Sequence, residues 1–191
     1  MITFWGIGNP EGKYKGTRHN IGKEVLDFIY HESKEDFSFS NWKRENLFLF
    51  SEGKFKRKKI NLAKNLTFMN ESGKAIFAFR KKFKILPQNT VIIHDDFDLP
   101  LGKIKISKKR ESAGHRGVES IIFYLGTKDF WRIRIGIKNK DLFLPLDEFV
   151  LRKFLPEERN IIQKVKIEVL NIFQTILRDG FQKAISQKHE I

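Results

Sequence analysis

Cysteine is absent from the 191 residues. That excludes disulfides, thiolate metal ligands and a cysteine nucleophile, leaves oxygen and nitrogen groups for any chemistry, and fits a reducing, cytoplasmic setting. No uninterrupted apolar run approaches the ~20 residues that span a bilayer. The opening MITFWGIGNPEG has no basic leader before its apolar residues, so a soluble, untargeted chain with no membrane partner is expected. Repeats, low-complexity tracts and obvious linkers are also missing, which leaves residues 1–191 as one domain. With 40% hydrophobic residues and 19 phenylalanines, that domain can close a core. Acidic residues are in deficit, with Lys+Arg 37 against Asp+Glu 23 and a formal net charge of +14. The basic residues gather in GKFKRKKINLAKN, RKKFK and GKIKISKKR, so the expected partner is a polyanion. A membrane surface fits less well, because no segment pairs a lysine-rich face with a broad apolar one. A biased coding sequence would inflate Lys, Ile, Asn and Phe without functional cause, so charge alone decides nothing.

Periodicity organises the chain. ITFWGIG reads as a buried first strand that runs into a loop at Asn9 and Pro10. A helix is expected from about Gly22 to Ser33. NLFLFSEGKFKRKKINLAKN alternates on both sides of Glu52 and Gly53, which predicts a hairpin there with one wet, basic face. Helical spacing returns through Ile76, Phe79 and Phe83. NTVIIHDDFDLP, GKIKIS and FWRIRIGI read as strands, GVESIIFYLG as a helix closed by Gly126, and a long helix follows Pro156. Interleaved strands and helices place the chain in the α/β class with a mixed sheet.

Some segments look chosen for chemistry. In GIGNPEGKY the glycines fall as G-x-G-x-x-x-G, wrong for a dinucleotide fingerprint. The loop instead presents Asn9 at a strand end, with a plain turn as the alternative. In HDDFDLPLG, Asp96 and Asp98 share one side of a strand while Asp95 points to the other, which splits any metal cluster. Neither a metal site nor a cofactor is expected. A strand-end carboxylate suits a different use, orienting an imidazole and stabilising its protonated form, and Asp95 is the candidate. Asp98 and Pro100 read as a turn, and His94 as structural. His19, in TRHN, stands where a polar loop becomes a buried helix; alone it reads as a capping or hydrogen-bonded histidine. Met69 and Phe68 would read as core without Asn70 beside them. His115 can cap the helix that follows it, and His31 and His189 are assigned to solvent.

Three stretches in a fixed order carry more than each does singly: GIGNPEGKYKGTRHNIG, NLTFMNESGKAI, and HDDFDLPLGKIKI with AGHRGVESI after it. Together they closely resemble the bacterial peptidyl-tRNA hydrolases, and the resemblance covers essentially the whole chain, FWRIRIGI and DEFVLRKFLPEE included. It implies a single α/β/α globular domain around a mixed, partly parallel twisted sheet, usually a monomer with no obligate protein partner. The activity implied is hydrolysis of the ester between a peptide's C-terminal carbonyl and the terminal ribose of tRNA, which recycles tRNA from dropped-off peptidyl-tRNA. Its partners are the acceptor arm and the nascent peptide. By the same resemblance His19 is the catalytic base, Asp95 orients it, and Asn9 and Asn70 bind the peptide end and polarise its carbonyl. Tyr14, Met69 and His115 match positions that line the cleft, and Arg134 matches one half of a clamp on the tRNA 5′ phosphate.

The departures from the family pattern are specific. The clamp's lysine falls at Ser107, so Lys105 or Lys108 has to substitute. An asparagine after the motif histidine is Arg116, which is longer, charged, and able to contact ribose or phosphate. GNPG has become GNPE, which sets Glu11 near the cleft mouth, and KKRESA replaces a glycine-rich run. An alternative reading is a non-catalytic relative, since some plant-organelle members keep the fold as RNA-splicing partners. Retention of both His19 and Asp95 argues for the enzyme. An ester has a better leaving group than an amide, so one imidazole can activate water without a nucleophilic serine.

Overall fold

The first strand is short because its glycines end it, and they do so to let a helix in. In the computed structural model, which describes residues 1–139, 144–189 and 191, β1 (Ile2–Gly6) is the centre of a seven-stranded sheet. The strands after it are β2 (Lys43–Arg44), β3 (Phe48–Phe55), β4 (Lys58–Asn65), β5 (Thr90–Pro100), β6 (Ile104–Lys108) and β7 (Trp131–Lys138). Their spatial order is β2-β3-β4-β1-β5-β7-β6. The inner pairs β4–β1, β1–β5 and β5–β7 are parallel, and the outer pairs β2–β3, β3–β4 and β6–β7 are antiparallel. The mixed, partly parallel sheet expected from the sequence is therefore present.

The helices are α1 (Ile21–Ser33), α2 (Ser72–Phe83), α3 (Arg116–Leu125), α4 (Leu146–Phe149), α5 (Arg159–Asp179) and α6 (Phe181–Ser186). Alternation within the strands sends side chains to two cores. Phe4, Ile93, Ile133 and Ile135 pack with Val25, Ile29, Val169 and Phe173 of α1 and α5. Trp5, Ala63 and Ile92 pack on the other face with Ile76, Phe79, Val118 and Ile121 of α2 and α3. β1 and the first half of β5 read as nearly continuous apolar runs because both of their faces are covered.

Close backbone approach sets the end of the sheet where α1 begins. A Cβ on Gly22 would lie 2.2 Å from the Ile93 carbonyl oxygen and 2.8 Å from that of Ile7, and one on Gly6 would lie 2.4 Å from the Gly22 oxygen. Only glycine lets α1 start directly on the ends of β1 and β5. Gly22→Ala is expected to lose about 3 kcal/mol of stability by overpacking against rigid backbone. Urea unfolding measures this, and an unchanged midpoint would contradict the close approach.

Three sequence expectations are corrected. Asp98 and Pro100 lie inside β5, and the turn comes after them at Leu101 and Gly102. The hairpin does not turn at Glu52 and Gly53, which lie inside β3 opposite Asn61 and Ile60; the turn comes at Lys56 and Arg57. Gly53 is a strand residue because a Cβ there would meet the Phe39 ring at 2.4 Å. His189 is buried rather than solvated. Its Nδ1 is 2.6 Å from Glu168 and its Nε2 2.6 Å from the Ala184 carbonyl, which ties the C-terminal tail to α5 and α6.

Candidate active site

His19 lies in a single 3-10 turn, Arg18–Asn20, that leads into α1. Each residue of that turn has a separate anchor. Arg18 makes a two-pronged, buried pair with Glu158 at 2.8 and 3.0 Å, between the rings of Phe149 and Phe154. Burial alone would push the Glu158 carboxyl up, but the bonds from Arg18, Leu155 and Asn139 hold it below its usual range. The Asn20 side chain accepts the Asn9 N–H at 2.9 Å and donates to the Asn9 carbonyl at 3.1 Å. The His19 N–H is bonded to the Val150 carbonyl at 2.9 Å.

The imidazole of His19 meets Asp95, 76 residues away, through Nδ1 and Oδ2 at 2.8 Å. The other oxygen of Asp95 is bonded to His115 Nε2 at 2.9 Å. His115 is also the N-cap of α3, its Nδ1 accepting the Val118 N–H at 3.3 Å. His115 is thus an N-cap that also lines a depression beside His19. The cap fixes its tautomer, because an accepting Nδ1 leaves the proton on Nε2 to donate to Asp95. One carboxylate thus takes an N–H on each oxygen. Burial by itself would push the Asp95 carboxyl up, but the two imidazoles beside it win and hold it well below the usual carboxylate range. With the folded-state value depressed, the stabilisation from Asp95 is present above the ordinary carboxylate range and is lost as pH falls from there through the depressed value.

His94 is structural, as expected. It is buried, its Nδ1 donates to the Asp95 carbonyl at 2.6 Å, and burial followed by the neighbouring His115 keeps it neutral by lowering its pKa. The ligand atoms of His19, Asp95 and His115 lie within 4.8 Å of one another, close enough in principle to share an ion. Their contacts of 2.8 and 2.9 Å are already those of N–H···O bonds.

A second cluster is built on the loop after β1. Asn9 is held by Asn20, as above, and by buried Lys23, whose Nζ donates to the Asn9 carbonyl at 2.7 Å. Burial, then the charge of Lys64, pushes the Lys23 amine down to about 8. Asn65 adds a third support, its amide donating to the Gly8 carbonyl at 2.9 Å. Asn9 Oδ1 accepts the Met69 N–H at 2.9 Å, so its NH2 group is the end left to donate. Met69 is buried under Gly117, where an added Cβ would touch its sulfur at 2.4 Å, whereas Asn70 is exposed. Asn9, Tyr14, Phe68, Met69 and Asn70 line one depression beside His19; Asp95, Phe97, Ser112 and His115 line another on its far side. Most of the sequence-predicted residues thus converge on His19.

The phosphate-clamp candidates lie apart, at the β6–β7 edge. Arg134 is buried, its Nε 2.6 Å from Asp96, and faces exposed Lys105 across the strand pair. Lys108 pairs with Trp131 in the register, which puts it on the opposite face, where it reaches Asp129 at 3.0 Å. Arg132, which the sequence reading did not single out, shares the Arg134 face. Its Nη1 donates to the Glu111 carbonyl at 3.0 Å, and its Nη2 is buried without a partner among the described residues. Burial, then the charges of Arg134 and Arg110, lowers its pKa to about 10. Asn20, Lys23 and Asn65 also escaped the sequence reading. Their only signal was a polar residue at a position that its neighbours make buried.

A family model described as peptidyl-tRNA hydrolase matches residues 3–191. Relatives named peptidyl-tRNA hydrolase include one from Thermodesulfovibrio yellowstonii, 42% identical and covering 97% of each chain, and one from Thermotoga petrophila, 40% identical over 95% of this chain and 93% of the other. Among solved structures, the crystal structure of peptidyl-tRNA hydrolase from Acinetobacter baumannii superposes with a TM-score of 0.88 over 99% of this chain and 94% of that one; at 24% identity it supports the fold. Among the described residues, no helix is long and apolar enough to cross a membrane.

Proposed function

The chain belongs to the peptidyl-tRNA hydrolase family and hydrolyses the ester of peptidyl-tRNA, and from that premise we propose that a water activated by His19 performs the cleavage. The observation that carries the assignment is the His19 Nδ1 contact to Asp95 at 2.8 Å in a ring that lines both depressions. With Nδ1–H committed to the carboxylate, Nε2 holds the lone pair and is the atom left to take a proton from water.

The hydroxide so formed adds to the ester carbonyl. The Asn9 NH2 group, oriented by the Met69 N–H, and the exposed amide of Asn70 are the donors available to the developing oxyanion. Collapse breaks the bond to the ribose oxygen, which recovers the proton from the His19 imidazolium. No covalent intermediate and no cofactor enter this scheme. Tyr14, Met69 and His115 line the space for the peptide and its terminal nucleotide.

The tRNA backbone is assigned to the β6–β7 edge, with Lys105 rather than Lys108 completing the clamp beside Arg134, because only Lys105 shares its face. Asp96 already neutralises much of the Arg134 charge. Lys105→Ala is therefore expected to lower the salt-dependence slope of tRNA binding by about one, with kcat unchanged. An unaltered slope would remove Lys105 from the interface.

On this reading the chain acts as one domain over residues 1–191 and as a monomer, as the family resemblance implies. Its tRNA substrate points to work in the cytoplasm, where translation runs. The non-catalytic RNA-binding alternative is not favoured, because relatives at 37–42% identity carry the hydrolase name. Release of an N-blocked amino acid from aminoacyl-tRNA by the wild-type chain, set against binding without release, separates the two.

A further inference from the structure

Arg116 and Asp147 form an ion pair at 2.7 Å, Nη2 to Oδ2. Arg116 is the first residue of α3, and Asp147 lies in α4 on the opposite wall of the cleft. That wall is secured to the catalytic turn, since the Val150 and Arg152 carbonyls accept the His19 and Arg18 N–H groups. Four residues line both depressions: His19, Arg116, Asp147 and Val150. The pair therefore spans the cleft beside the imidazole, at the divide between the two compartments. A substrate whose ester lies at His19 has its peptide leaving one way and its polynucleotide the other, so it has to cross this divide.

Both side chains are largely exposed, at 65% and 72%. An exposed pair of this kind is worth about 0.2–1 kcal/mol, so a competing anion displaces it easily. On a chain of net charge +14, the incoming polyanion is the natural competitor. Arg116 suits the exchange, because a guanidinium binds a phosphodiester with the same two-pronged geometry that it offers a carboxylate.

We propose that Asp147 occupies Arg116 while the cleft is empty and hands it over to a backbone phosphate near the 3′ end of the bound tRNA. This rests on the hydrolase reading above and adds to it a residue that selects for the nucleotide half of the substrate. Removing the Asp147 charge leaves Arg116 free for phosphate in advance. Removing Arg116 deprives Asp147 of any role in the exchange.

The test is a double-mutant cycle on KM for an N-blocked aminoacyl-tRNA, using Asp147→Asn, Arg116→Asn and the double variant, with thermal unfolding of each as the folding control. Asp147→Asn is expected to lower KM about threefold at unchanged kcat, the scale of one exposed ion pair. Arg116→Asn is expected to raise it. In the Arg116→Asn background, Asp147→Asn is expected to have no effect. An equal fall in KM in both backgrounds would reduce the effect to general repulsion between Asp147 and RNA and overturn the exchange. An N-blocked aminoacyl ester of adenosine, which carries no phosphate, serves as the second substrate. Its KM should not respond to Asp147→Asn, and a threefold fall there would make the pair a steric bar instead. If the wild-type chain releases nothing from either substrate, the hydrolase assignment itself fails, an outcome distinct from all of these.

Discussion

Replacing His19 with alanine is expected to lower kcat on peptidyl-tRNA by about 10³-fold, while KM stays within about threefold of wild type. The split follows from where the ring sits. Its Nδ1 is bound to Asp95 and its side chain is only 12% exposed, so it contributes little contact area to the substrate. What it supplies is a proton acceptor at one point. The peptide and tRNA keep Asn9, Asn70, Met69 and the basic edge for binding. Single-turnover release of a labelled peptide measures the effect, and release that persists in the variant would remove His19 from the reaction. Asp95 stays ionised to orient the ring, because the imidazoles on either side of it keep its carboxyl well below the usual range.

Asp95→Asn is expected to cost about 10³-fold in kcat, although it changes only an oxygen to an NH2 group. An asparagine offers one accepting oxygen to two imidazoles that both donate. His115 cannot change tautomer cheaply, since its Nδ1 accepts the Val118 N–H at 3.3 Å. The asparagine oxygen therefore goes to His115 and its NH2 group faces His19 Nδ1. To accept that donor, His19 moves its proton to Nε2, which abolishes the lone pair that water needs. The same reasoning predicts a partial rescue. Asp95→Asn combined with His115→Ala frees the asparagine to turn its oxygen toward His19, and about tenfold of the lost rate should return. A double variant no faster than Asp95→Asn alone would show that His115 does not control the tautomer.

Much of the fold could be read from the chain. The apolar positions of α1, α2 and α5 repeat at helical spacing because one face of each is buried, and β1 and the start of β5 are marked by apolar content because both faces are covered, whereas β7 alternates isoleucines with Arg132 and Arg134. The hairpin was misplaced for an equally physical reason. Gly53 looked like a turn, yet it is needed where the Phe39 ring crosses the strand, and a contact that distant leaves no local pattern. His189 was assigned to solvent because polar residues near a terminus usually are; its ring is held by the Ala184 carbonyl five residues back on α6 and by Glu168 on α5, contacts that leave no apolar pattern.

The candidate site divides along the same line. Sequence alone determined which residues are present to do chemistry: His19, Asp95, Asn9 and Asn70 stand in motifs, and the lack of cysteine left an imidazole as the natural base. Tertiary structure decided how they are connected. That Asp95 serves two histidines, that Lys23 and Asn20 hold the Asn9 backbone from below, that Lys105 and not Lys108 stands beside Arg134, and that Arg116 reaches Asp147 across the cleft are all facts of chain closure. Periodicity records which side of a helix or strand is dry, since burial acts on each residue through its immediate neighbours. Hydrogen bonds between residues tens of positions apart depend on where the backbone brings them, and only the packed sheet and its helices specify that.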